Sequence, residues 1–371
     1  MHPNHPLAAW LTSSGIDPTM GGIASVTRSC LVALGGPMAA RSEPVLAATR
    51  FLGLRSHDFS KVAETFPGIR FRACRGSRLR FLLENSGQVF ARPSWVIHEH
   101  VDLAQCETLL PRSLRSRYAV WCHGIELWRE LPSRKRQALR EADLLLFNSS
   151  FTRKKAAEFH PWILECPYQV VPLCREGGSK ANLLDTDASP SRKSEILTVG
   201  RLVEDRPKGH LEILASLPDL VAEIQNFHWH IVGDGPWRRE LEDAVFNAGF
   251  AKQVSLHGFV DAERLNELYR ASRVFAMPSH GEGFGLVYAE AMAHGLPCIG
   301  STLDAAPEVI KEGGMCVDLD DPEALPEALR RYLSMDEETF ATASEQARKR
   351  SRFFEIDRFA GDFQAALLED G

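Results

Sequence analysis

A chain of 371 residues is too long for one ordinary domain, and 44% hydrophobic with 25% charged residues is the balance of a globular protein with a sizeable core. No run reaches the ~20 apolar residues of a membrane span, and Met1–Pro6 lacks the basic start and apolar core of a signal peptide, which predicts a cytoplasmic protein. The net charge of -6 conceals a split: residues 1–175 carry 23 Lys/Arg against 14 Asp/Glu, residues 176–371 carry 20 against 35.

In chain order, short apolar runs alternate with amphipathic stretches, the pattern of an α/β protein with parallel sheets. Strands are predicted at Leu7–Leu11, Pro44–Ala48, Gly68–Ala73, Trp95–His98, Tyr118–Cys122, Leu144–Asn148 and Gln169–Pro172. Helical patterns are clearest over Ile23–Leu34, Ser133–Glu141 and Ser150–Phe159. Residues 176–195 are polar and turn-rich and read as an interdomain linker between domains at 1–175 and 196–352.

The alternation then restarts. Strands are predicted at Ile196–Val199, His228–Val232, Val254–His257, Val274–Met277, Pro297–Ile299 and Met315–Val317. Helices are predicted at Gly209–Leu217, Trp237–Ala248, Ala262–Ala271, Leu286–Ala293, Pro322–Leu333 and Glu337–Arg348. Residues 353–371 close the chain, with Phe353, Phe354, Ile356, Phe359, Phe363 and Leu367 as one apolar helical stripe. Two Rossmann-like, doubly wound domains facing across a cleft are expected, with ligands at the carboxyl ends of the strands.

Eight scattered cysteines include no C-x-x-C pair, which argues against a zinc site or disulfide framework; His2 and His5 read as part of a frayed terminus. The densest chemical signal is Pro278–Pro297. A strand ends in Pro278-Ser279, a loop with Gly281, Gly283 and Gly285 follows, and a helix begins. Such glycines let the backbone approach a ligand, and a helix start offers unpaired N–H groups to an anion. Glu282 and Glu290, eight residues apart, suit acceptance of hydrogen bonds from sugar and ribose hydroxyls.

This stretch resembles the E-x7-E motif of retaining glycosyltransferases of family 4, which have the GT-B fold. The resemblance runs through Leu197–Leu202, Lys208-Gly209, Ile231–Pro236, Leu256–Val260 and Ala305–Ile310. It implies a transferase moving a hexose, mannose or glucose, from a nucleotide-sugar donor to a glycan, lipid-linked or small-molecule acceptor. By matching position, Gly200, Arg201 and Lys208 would serve the donor diphosphate. Glu282 would take hydroxyls of the transferred sugar, and Gly283, Phe284, Gly285 and Leu286 would offer backbone N–H groups. Glu290 would bind the ribose, and Phe259 with Val260 would border the base. In the first half, Gly21 and Gly22 after Met20 resemble a glycine loop beside the donor phosphates, and His123 resembles a histidine near the transferred sugar. Ala305-Ala306 depart from the glycine that many relatives carry there.

His98 and His100 end a strand and are acceptor-site candidates. The tract Arg70–Leu83 sets five arginines among apolar residues, a pattern for peripheral docking on an anionic membrane or for a solvated helix face. Aromatic residues there are too sparse for nucleic-acid binding. No Asp-x-Asp metal motif is visible and no cofactor is expected, since Arg201, Lys208 and helix N-termini would neutralise the diphosphate. The rival readings are a GT-B sugar-nucleotide epimerase and a non-catalytic nucleotide-sugar-binding subunit. Neither half carries the G-x-G-x-x-G of a dinucleotide oxidoreductase.

Overall fold

Among the described residues, thirteen short strands form two parallel sheets, each covered by helices. The computed structural model describes residues 7–17, 21–35, 46–56, 58–175, 192–203 and 208–368. The chain divides into one unit of Met1–Glu176 with Glu355–Gly371, and a second of Gly177–Phe354.

The first unit contains β1 (Leu7–Ser13), β2 (Leu46–Gly53), β3 (Arg70–Ala73), β4 (Trp95–His98), β5 (Tyr118–Cys122), β6 (Leu144–Phe147) and β7 (Tyr168–Val170). Their order across the sheet is β3-β2-β1-β4-β5-β6-β7, so the strand order reverses between β1 and β4. Central strands buried on both faces read as continuous apolar runs, as β5 and β6 do, because helices cover a parallel sheet on either side. β2 extends to Gly53, past the polar pair Thr49-Arg50 that suggests an end at Ala48. Arg50 remains in the strand by laying its guanidinium over the Trp10 ring, 4.5 Å from the centroid, and pairing with Glu84.

The second unit contains β8 (Glu195–Val199), β9 (His228–Val232), β10 (Val254–Gly258), β11 (Val274–Ala276), β12 (Cys298–Ser301) and β13 (Gly314–Val317). They lie in the order β10-β9-β8-β11-β12-β13, which reverses between β8 and β11. Ile196, Trp229, Ile231, Val274 and Ile299 build the sheet's share of the core, against Ile213, Leu217 and Leu329 from helices. The helix predicted to stop at Leu217 runs over His210–Glu223 with Pro218 inside it. Buried Leu217 and Leu220 belong to one core face, and that packing outweighs the single hydrogen bond that proline removes.

Of the 176–195 linker, residues 176–191 lie outside the described residues. Arg192 already belongs to the second unit's interior: its Nη1 donates to the carbonyls of Tyr269 (2.8 Å) and Ser272 (2.7 Å). At the other end, the apolar stripe divides. Phe354 packs edge-to-face on Phe284 in the second unit, with ring centroids 5.8 Å apart, and Phe353 is partly exposed. The helix Ile356–Leu368 is built into the first unit, where Phe359, Phe363 and Leu367 are buried and Phe359 stacks on Trp121. Trp95 Nε1 donates to the Leu367 carbonyl (2.9 Å), and Gln364 Nε2 donates to that of Ala33 (2.7 Å).

Candidate active site

In a sheet whose order reverses, the helices on either side of the reversal diverge and leave room at the carboxyl ends of the strands. In the second unit that position follows β8 and β11. Gly200 and Arg201 leave β8 there, and Arg201 is exposed. Gly233, at the end of β9 with φ +132°, passes so close that a Cβ would stand 1.9 Å from the Gly200 carbonyl oxygen. The glycine therefore lets the two strand ends lie together. Gly209 is held the same way: its φ is +77° and a Cβ would meet the Pro278 carbonyl at 2.5 Å. That contact seats Lys208 beside the loop leaving β11.

Lys208 Nζ forms an ion pair with Glu282 Oε2, and the two side chains are 16% and 20% exposed. The Glu282 loop is fixed from below by Asp304. The Glu282 N–H donates to Asp304 Oδ2 (3.1 Å), the Ala306 N–H donates to Oδ1 (2.8 Å), and the Ala305 N–H returns to the Glu282 carbonyl (3.0 Å). Burial, with the Glu282 charge adding to it, pushes the Asp304 carboxyl up to about 7. Ala305-Ala306, in place of a glycine, thus close the loop through their backbone N–H groups. Asp304 was not singled out by the sequence; its signal is an acid in the short segment between β12 and the Pro307 helix.

Gly285 adopts φ +83° and leads into the helix Leu286–Ala293. Phe284 is buried against Phe354, so only its backbone is available to a ligand at the loop. Gly283 is buried beside it and Leu286 is partly exposed. One turn on, Glu290 Oε2 accepts from the Tyr269 hydroxyl at 3.3 Å. Tyr269 is buried, stacked on His294 with centroids 4.9 Å apart, and burial beside Glu290 holds its hydroxyl protonated. Gly258 ends β10 with φ +69°, Phe259 is 81% exposed and Val260 is half-buried. The structure thus places Arg201, Lys208, Glu282 and the 283–285 backbone on loops at the strands' carboxyl ends, with Leu286 and Glu290 on the helix that follows.

In the first unit Gly21 (φ +80°) and Gly22 open the helix Gly22–Gly35, while Met20 lies outside the described residues. His123 follows β5 and is partly buried. Its Nε2 lies 2.8 Å from the Glu99 carbonyl oxygen, and its ring stacks on Trp121. Burial lowers the His123 pKa, so the ring is neutral at pH 7; with Nε2 protonated towards Glu99, Nδ1 is an acceptor. Glu99 went unremarked in the sequence. It is buried at the β1/β4 reversal, accepts from the Ser14 N–H (3.2 Å) and from the Ser13 and Thr27 hydroxyls, and burial raises its pKa.

His98 is a correction. It is fully buried, with Nδ1 2.8 Å from Thr12 Oγ1 and Nε2 3.0 Å from Glu107 Oε1, so it cannot touch an acceptor. His98, Cys106 and Glu107 form the one cluster of metal-ligating type among the described residues. The N–H groups of Asn85 (2.9 Å) and Gln88 (3.0 Å) also donate to Glu107 Oε1, which makes this a hydrogen-bonded network and not an open ligand set. His100 caps the turn Val101–Ala104 by accepting from the Asp102 N–H at 3.1 Å.

Residues 193–335 match the family described as Glycosyl transferases group 1. The chain is 27% identical over 356 residues to the GDP-mannose-dependent alpha-(1-6)-phosphatidylinositol monomannoside mannosyltransferase of Mycolicibacterium smegmatis, covering 87% of this chain and 88% of that one. It is 37% identical over 134 residues to the D-inositol 3-phosphate glycosyltransferase of Xylanimonas cellulosilytica, covering 36% of this chain and 31% of that one. Among solved structures, the lipopolysaccharide outer core galactosyltransferase WaaB superposes with a TM-score of 0.70 at 18% identity, covering 98% of this chain and 99% of that one. Anabaena Alr3699/HepE in complex with UDP-glucose superposes at 0.71 and 16% identity, covering 96% and 97%. Residues 193–335 of the second unit thus resemble the glycosyl transferases group 1, and the chain is a glycosyltransferase with the GT-B fold.

Proposed function

We propose that the chain is a retaining hexosyltransferase whose second unit holds a nucleoside-diphosphate sugar at the β8/β11 reversal. The observation that carries this reading is the Lys208–Glu282 ion pair on glycine-supported loops. A cation and a carboxylate side by side match a ligand that presents phosphate and hydroxyl groups on neighbouring atoms. Arg201 and Lys208 take the diphosphate, where charge grows as the leaving group departs. Glu282 accepts hydrogen bonds from sugar hydroxyls, and the amides of Gly283–Leu286 bind sugar and phosphate. Glu290 takes the ribose hydroxyls, with the Tyr269 hydroxyl orienting its carboxylate. Phe259 and Val260 border the base. In the first unit, Gly21 and Gly22 approach substrate through backbone, and His123 accepts a substrate hydroxyl at Nδ1.

In the step itself the bond from the sugar's C1 to the diphosphate oxygen breaks, and its electron pair leaves with the diphosphate. The acceptor oxygen bonds to C1 on the same face, and its proton passes to the departing phosphate oxygen. A glycoside and a nucleoside diphosphate result. Because both glutamates are engaged with hydroxyls, no covalent glycosyl-enzyme forms, and the two cations do the neutralising that a metal would otherwise do.

The donor hexose is mannose or glucose. The Mycolicibacterium smegmatis relative is named for GDP-mannose, and the Anabaena protein was solved with UDP-glucose. The acceptor is a glycan, a lipid-linked molecule or a small molecule, reached at the cytoplasmic face of a membrane. Support for the membrane comes from β3, the turn after it and the helices Arg78–Ser86 and Gln88–Ala91: Arg72, Arg75, Arg78 and Arg80 are exposed, as are Leu79 and Leu83, and Phe90 is 91% exposed. No described helix is long and apolar enough to cross a membrane. Incubation with GDP-mannose and UDP-glucose, with and without candidate acceptors, tests the reading by nuclear magnetic resonance of the product's anomeric configuration. An inverted product refutes retention, and sugar conversion without acceptor points to an epimerase.

A further inference from the structure

The first unit holds a cavity of about 430 Å³, a size that suits a small ligand. Arg55, Arg78, Arg134 and Lys135 line it, against one carboxylate, Asp102. Asp102 is already engaged, paired with Lys135 and 3.7 Å from His100 Nδ1. Among the described residues, Arg55, Arg78 and Arg134 form no ion pair. The inner wall is apolar, with buried Phe81, Leu103 and Cys106. Gathering like charges around one recess is unfavourable until an anion joins them. Guanidinium forks match phosphate oxygens in pairs, and three uncompensated cations suit a group carrying up to two negative charges.

The cavity wall is also linked to His123 through hydrogen bonds. Ser14 is on its wall, the Ser14 N–H donates to Glu99 Oε1 (3.2 Å), and the Glu99 carbonyl faces His123 Nε2 (2.8 Å). Cavity and His123 therefore share the carboxyl edge at the β1/β4 reversal, where such sheets take ligands. We infer that this cavity binds the phosphate group of the acceptor, which makes the acceptor a phosphorylated polyol or the headgroup of a phospholipid. This rests on the reading of the chain as a transferase with its donor in the second unit.

The test is calorimetry on the full chain with two probes, sn-glycerol 3-phosphate and monomeric dihexanoyl phosphatidylglycerol, with glycerol as the uncharged control. Binding of either phosphate probe, weakened at least tenfold in the double variant Arg55→Ser/Arg134→Ser and tightened in Asp102→Asn, supports the site. Neither substituted arginine lies in the Arg70–Leu83 tract, so membrane docking is not what is read, and a gain in Asp102→Asn cannot come from misfolding. Binding of the free phosphate identifies a soluble acceptor, and binding of the lipid alone identifies a headgroup. Failure of both probes, or equal binding by the double variant, overturns the inference. Protection of the same samples against heat unfolding by UDP and GDP reports the donor site separately.

Discussion

Replacing Lys208 by alanine removes one of two cations assigned to the diphosphate, and replacing Glu282 by glutamine removes its partner's charge. The two changes are expected to move nucleotide affinity in opposite directions. In the free protein Lys208 is paired with Glu282, with each side chain about four-fifths covered, so screening by water is limited. A charge-assisted hydrogen bond contributes ~1.5–3 kcal/mol, so Lys208→Ala should weaken UDP or GDP binding by roughly tenfold to 140-fold. Glu282→Gln frees Lys208 and removes a negative charge near the phosphates, so binding of the diphosphate should tighten while transfer collapses. Calorimetry with UDP and GDP, beside steady-state transfer, measures both. Unchanged affinity in Lys208→Ala, or weaker diphosphate binding with near-normal turnover in Glu282→Gln, would refute the assignment of phosphate to the lysine and sugar to the glutamate.

His210 is buried between Trp229 and Trp237 with neither ring nitrogen hydrogen-bonded among the described residues, and burial drives its pKa down to about 4. Because the folded value lies below the unfolded one of ~6.5, its stability contribution is present above pH 6.5 and lost towards pH 4, about 2 kcal/mol between pH 7 and 5. His210→Leu should flatten that part of the urea-unfolding profile, and an unaltered acid slope would count against it. Asp304 has the opposite sign: its folded pKa, raised to about 7, makes stability fall as pH rises from ~4 through 7. Asp304→Asn should therefore gain on the wild type between pH 5 and 8, and parallel profiles would contradict the burial argument. Phe363→Ala should cost about 3–5 kcal/mol, and ending the chain after Arg352 should unfold the first unit, since the final helix is part of its core. Far-ultraviolet circular dichroism of the truncated chain checks this, and an intact first unit would be the contrary result. Replacement of Arg72, Arg75, Arg78 and Arg80 by serine should abolish sedimentation with anionic vesicles at low salt, whereas equal sedimentation with neutral vesicles would exclude electrostatic docking.

The parallel sheets were legible because their central strands are unbroken apolar runs such as Leu144–Phe147, and the loops were legible because glycine and proline mark their ends. Lys208, Glu282 and Glu290 could be named from a shared order of motifs, although 74 residues separate the first two. What pattern could not supply is direction. His98 and His123 both end apolar strands, yet His98 turns into the Glu107 network and His123 stays partly exposed. Alternation tells which residues face a sheet surface, not whether a helix covers that surface at the strand end. The roles of Glu99 and Asp304 were illegible for a related reason. Each is an acid among ordinary loop residues, and only the fold brings Ser13, Thr27 or the Ala306 N–H to it. The stripe at the chain's end misled because Phe353 and Phe354 continue its spacing while a break at Glu355 assigns them to the other unit.

The placement of the donor is tested most directly by amide hydrogen exchange with and without a saturating nucleotide sugar, chosen from a GDP-mannose and UDP-glucose panel by its protection against heat. The account predicts slower exchange at Gly200–Leu202, at Gly281–Leu286 and at Gly258–Val260, and loss of that protection in Lys208→Ala. Protection confined to residues 7–175, with the second unit exchanging as in the free protein, would contradict it.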